Sequence, residues 1–166
     1  MRRFLLRTMV PLGMVASLSG IALVTNATAS SASSPRHGRH VILIPDTDKF
    51  VPFQMTVHEG DTVTWVNEDT DNHTVVSDDA FNSDGHHGLN HLLLGTDDNN
   101  GKPGMFSLRF DDSGTFVYYC RFHAHLDGNN QPVAPGPDGG IQDSSGNFGT
   151  PMSGVITVVD KNHHDD

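Results

Sequence analysis

The chain has 166 residues, with ten basic and twenty acidic side chains, eleven histidines and a single cysteine. A formal charge of −10 repels nucleic acid and anionic lipid, so neither is expected as a partner, and a basic protein surface or a cation is favoured instead. The length suits one domain around one core, and a lone cysteine excludes an internal disulfide.

The N-terminus has the layout of an export signal. Arg2, Arg3 and Arg7 precede an apolar run from Met9 to Val24, and "ATA" at 27–29 offers small residues at a cleavage site. Pro11, Gly13, Ser17, Ser19 and Gly20 break the run, which favours a cleaved signal peptide over 1–29 rather than a membrane anchor. No cysteine stands at the cleavage site to carry a lipid. The mature chain loses three basic residues and no acidic one, leaving a formal charge of −13. A periplasmic or extracellular location is expected, with no stable membrane insertion after cleavage.

Residues 30–40, "SSASSPRHGRH", are small and polar and are expected to form a flexible leader. Short β-rich runs follow: "HVILI" (40–44), "QMTVHEG" (54–60), "DTVTWVN" (61–67), "HTVVS" (73–77), "MFSLRF" (105–110), "TFVYYC" (115–120) and "SGVITVVD" (153–160). Turn residues separate them, which predicts an all-β sandwich or barrel. Alternation in "TVTWV" predicts one buried and one exposed face.

Two long insertions interrupt the strands. In 81–104, Leu89, Leu92 and Leu93 are expected to form one helical turn against the body. That turn would set His87 and His91 on one face at i, i+4, within a solvated loop that also holds His86. Residues 126–151 are rich in Gly, Pro, Asn and Asp and predict an irregular excursion. Its Asp138 and Asp143 lack the spacing of an EF-hand. Residues 161–166, with His163, His164, Asp165 and Asp166, form a polar tail.

Cys120 is the centre of the chemistry. In an oxidising compartment a lone thiol must be buried and inert or occupied by a metal. His123 follows within the next turn, His73 opens a strand far upstream, and Met152 precedes the last strand. A thiolate, two imidazoles and a thioether form a soft donor set that suits copper cycling between two oxidation states.

The blocks "EGDTVTWVNEDTDNHTVVSDDAF", "SGTFVYYCRFHAHL" and "GTPMSGVITVV" resemble, in order, those of the cupredoxin family, the plastocyanin- and azurin-like blue copper proteins. The resemblance spans residues 41–160. It implies a Greek-key β-sandwich, one type 1 copper per chain, and one-electron transfer to or from a redox partner protein. It also implies His73, Cys120, His123 and Met152 as ligands. Thr74 is then expected behind them, tying the two ligand loops together, with Asn67 and Asn72 as further candidates.

This chain departs from the family pattern twice. The axial Met normally follows the second His closely, whereas 28 residues separate His123 from Met152 here. Loop closure costs grow only logarithmically, so the insertion does not forbid ligation. His125 also competes with His123, since the two spacings from Cys120 match two branches of the family. A copper buffer or delivery protein of the same fold is the alternative function. A copper enzyme is disfavoured: His123-Ala-His125 is the only His-x-His pair, and neither a Ser-His-Asp set nor paired carboxylates are legible, so no catalytic residue is expected.

Overall fold

The computed structural model describes residues 37–77 and 88–161. The expected signal peptide, most of the leader, His86, His87 and residues 162–166 lie outside the described residues. Ten strands form among the described residues: β1 (Arg39–Ile44), β2 (Gln54–His58), β3 (Thr62–Asn67), β4 (His73–Ser77), β5 (Asn90–Leu93), β6 (Gly104–Arg109), β7 (Gly114–Tyr119), β8 (His125–Leu126), β9 (Pro132–Val133) and β10 (Ser153–Val159). They build a three-stranded sheet in the order β1-β3-β6 and a five-stranded sheet in the order β2-β10-β7-β4-β5, with β8-β9 as a separate hairpin. The two larger sheets pack as a Greek-key sandwich, with β1 parallel to β3 and β2 parallel to β10.

Alternation sets the core, as the strand pattern predicts. Val63, Trp65 and Asn67 of β3 point inward, and Ile156 and Val158 do so from β10. Trp65 crosses between the sheets, its ring 5.3 Å from Tyr118 and 6.3 Å from Phe116. Each fully buried side chain of this size contributes about 1.5–3 kcal/mol. The same period of two carries functional weight in β7. Phe116 and Tyr118 face the core, so Cys120, one residue past the strand end, also faces inward and is fully buried. Gly154 pairs with Tyr118. A Cβ there would lie 2.4 Å from the phenol ring, so only glycine lets the two strands carry that side chain between them.

Three expectations need correction. Leu89, Leu92 and Leu93 do not form a helical turn: residues 90–93 are β5, antiparallel to β4, with His73 opposite Leu93. Pairing satisfies the outer backbone groups of β4, and that outweighs the local preference of leucine for helix. His91 consequently lies on a strand and stacks on Phe106 at 4.1 Å. The excursion over 126–151 is not irregular throughout. β8 pairs with β9, Ile141 bridges Thr150, and the Ile141 side chain joins the core. Finally, Arg39 and His40 belong to β1 rather than the leader, held by parallel pairing with Thr62 and Val63.

Asp61, in the tight β2–β3 turn, accepts bonds from the Gly38 and His58 amides and from the His40 ring. Burial pushes its carboxyl up, but these donors outweigh burial and hold it at about 2. A carboxyl whose pKa falls on folding contributes stability that is complete above its unfolded value and is lost as pH drops through the folded one. Asp61 therefore contributes about 2 kcal/mol at neutral pH, lost from about pH 4 down to about pH 2. Urea unfolding across that range should show a flatter acid limb in Asp61→Asn. An unchanged limb would mean that the carboxylate contributes no net stability.

Candidate metal centre

Three elements bring the donors together. His73 opens β4, Cys120 directly follows β7, and His123 closes the turn after it, with its amide bonded to the Cys120 carbonyl at 3.1 Å. The donor atoms of His73, Cys120 and His123 all lie within 4.8 Å of one another. His73 and Cys120 are fully buried, and the His123 side chain is 24% exposed. His73 Nδ1 stands 3.7 Å from Cys120 Sγ.

Met152 is fully buried, and its backbone is bonded to both neighbours: its carbonyl accepts the Cys120 amide at 2.9 Å, and its own amide reaches the His123 carbonyl at 3.5 Å. The 28-residue excursion thus returns the chain to the same pole. His125 lies on exposed β8, outside the cluster.

Thr74 ties the two loops. Its amide donates to Cys120 Sγ at 3.4 Å, and its hydroxyl accepts the Arg121 amide at 2.8 Å. Asn67 and Asn72 shape the loop instead. Asn67 donates to the carbonyls of Asp71 and Leu93 and accepts the Asp69 amide, while Asn72 accepts the Gly95 amide and donates to Asp98.

Two carboxylates escape the sequence pattern. Asp69 Oδ2 lies 3.2 Å from His73 Nε2, and Asp48 Oδ1 lies 3.5 Å from the same nitrogen and 3.9 Å from His123 Nε2. With Nε2–H donated to Asp69, the other nitrogen, Nδ1, is left to face the sulfur. Asp69 sits in the "NEDTDN" turn, where its spacing of four from His73 is a usable signal. Asp48 comes from the β1–β2 connection, and no local pattern marks it.

The electrostatics favour a bound cation. Burial pushes the Cys120 thiol up, but the imidazoles of His123 and His73 and the amides of Thr74 and Phe122 outweigh it and hold the thiol at about 6. It is therefore a thiolate at neutral pH, the form that binds metal. The pKa of His123 is raised, first by that neighbouring thiolate, against burial. His123 Nδ1 is buried and makes no hydrogen bond. An unpartnered imidazole nitrogen beside an anionic sulfur is costly alone and is satisfied by a metal ion.

The family model for copper-binding proteins of the plastocyanin/azurin family matches residues 45–129. The chain belongs to the plastocyanin/azurin family. It is 38% identical over 76 residues to a plastocyanin of Scenedesmus fuscus, covering 45% of this chain and 74% of that protein. It is 33% identical over 113 residues to a chloroplastic plastocyanin of Tetradesmus obliquus, covering 66% and 72%. A solved structure described as a novel purple cupredoxin from Nitrosopumilus maritimus is similar at 22% identity and a TM-score of 0.45, covering 72% of this chain and 99% of that one. Copper is accordingly the cofactor of this plastocyanin/azurin-family protein. The matched span includes His73, Cys120 and His123 and ends before Met152. The donor set fits copper: a soft thiolate, two imidazoles, and a buried thioether fastened to the same pole.

Proposed function

We propose that this chain is an exported one-electron carrier whose type 1 copper is held by His73, Cys120 and His123, with Met152 as a weak axial donor and Thr74 in support. The convergence of a buried thiolate with two imidazoles carries this proposal. Bound copper supplies a one-electron couple at this site. The chain's part is to hold the donors still: β4, β7 and β10 are hydrogen-bonded neighbours, so the ligand positions are set by the sheet before any metal arrives. His123 is the proposed ligand nearest solvent, and the neighbouring Phe122 is 54% exposed. A redox partner would approach there, and the acidic charge favours a basic one. Residues 1–29 are proposed as the cleaved export signal. The test is a visible spectrum of the mature protein with Cu(II): intense thiolate-to-copper absorption supports the assignment, and a colourless copper-loaded protein overturns it. Counting copper separates a carrier, with one tight ion per chain, from a buffer with several exchangeable ions.

The two histidines separate in the same assay. His123→Ala should lose the strong absorption, while His125→Ala should keep it, because His125 lies outside the donor cluster. The reverse pattern would move the ligand to His125.

Met152→Leu should still bind copper and stay coloured, because a thioether tunes such a site more than it builds it. Its reduction potential should rise, since losing a donor leaves the oxidised ion less stabilised. Voltammetry decides: a potential equal to wild type would leave Met152 as core packing alone.

A further inference from the structure

A second group of imidazole and carboxylate side chains gathers at the other end of the sandwich. The register places it: β1 and β3 run in parallel from Arg39 opposite Thr62 to Ile44 opposite Asn67, and the chain beyond Asn67 leads to His73. Asp61 precedes β3, His40 lies near the start of β1, and His58 ends β2. The His40 Nε2 and His58 Nδ1 atoms lie 3.0 and 3.9 Å from one oxygen, Asp61 Oδ2. These residues line an open cavity with Gly38 and Lys161. We propose that His40, His58 and Asp61 form a second metal site, which takes a borderline divalent cation of the zinc class.

The donor chemistry supports this. Two imidazoles and a carboxylate, with a position left for water, make a three-ligand zinc-type set. Bonds of about 2.0–2.2 Å in tetrahedral geometry put donor atoms roughly 3.3–3.5 Å apart. The His40–Asp61 separation already suits that spacing. The His58 nitrogen must come closer to Asp61 by roughly half an ångström and must also turn toward His40, because the three donor atoms do not all lie within 4.8 Å of one another; its side chain is 60% exposed and has room to turn. Asp61 is the fixed member: its side chain is 5% exposed, and the Gly38 and His58 amides orient both oxygens. It remains ionised throughout the range in which imidazoles are neutral and able to ligate.

An ion pair between Asp61 and His40 alone would need no second imidazole on the same oxygen. Lys161 opposes a cation by charge, and its ammonium sits 3.1 Å from His37 Nδ1. The geometry also has a structural consequence. His40 belongs to the three-stranded sheet and His58 to the five-stranded one, so a shared cation would fasten the two sheets at the pole away from Cys120. Binding to the folded state alone raises the unfolding midpoint.

Zinc titrated calorimetrically into the full mature, copper-loaded protein tests the proposal. One equivalent should bind without change in the visible spectrum and should raise the thermal midpoint. His40→Ala and His58→Ala should each weaken zinc at least tenfold and abolish the midpoint rise, with the spectrum intact, and Lys161→Met should tighten binding. Absence of zinc binding would overturn the proposal, as would affinity unchanged in the His40 and His58 variants. Loss of affinity only on replacing His163 and His164 would place the cation on the C-terminal tail instead and overturn it too. Bleaching in proportion to added zinc would place the cation at the copper centre and would likewise overturn it.

Discussion

Cys120→Ser should abolish the visible absorption of the copper-loaded protein while its far-ultraviolet circular dichroism remains that of a β-sandwich. The colour depends on a thiolate as charge donor, and a serine hydroxyl stays protonated at neutral pH and offers only a hard oxygen. The environment makes the change clean. The side chain at 120 is fully buried, so no solvent thiol or exposed cysteine can substitute for it, and the chain has no second cysteine. The smaller hydroxyl draws back from the Thr74 amide and the His73 ring, which the sulfur meets at 3.4 and 3.7 Å, but the pairing of β7 with β10 and β4 does not depend on those contacts, so the sheet is retained. A variant that kept its colour would place the copper elsewhere. A variant that lost both colour and sheet signal would instead make Cys120 a packing residue first.

Trp65→Ala should cost about 3–5 kcal/mol of stability in the metal-free protein, measured by urea unfolding. Trp65 is fully buried and touches Phe106 of its own sheet and both Phe116 and Tyr118 of the other. Removing it leaves a cavity between rigid strands that cannot close it. The damage should also reach the metal centre, because Tyr118 lies two residues before Cys120 on the same inward face of β7. The expected signature is a broadened or weakened absorption band alongside the stability loss. A cost below about 1 kcal/mol would mean that the surrounding rings collapse into the space, contrary to the close packing of interiors.

The amino-acid sequence alone carries the strand alternation. In "TVTWVN" and "TFVYYC" the period of two already says which side chains face inward, and it extends to Cys120 without help from any distant contact. The order of His73, Cys120, His123 and Met152, on which the family resemblance rests, is likewise written along the chain. Tertiary structure decided the rest, for one physical reason: those features depend on residues far apart in sequence. β5 exists because β4 has an edge to be paired, which no local preference of "NHLL" can announce. Asp48 reaches His73 from 25 residues upstream, across the sandwich end. The separation of His123 from His125, only two residues apart, came from which one the turn after Cys120 directs inward and which one β9 pairs outward. Loop composition told the chain to leave the body after Leu126, but the burial of Ile141 and the backbone bonds of Met152 to Cys120 and His123 decided where it came back.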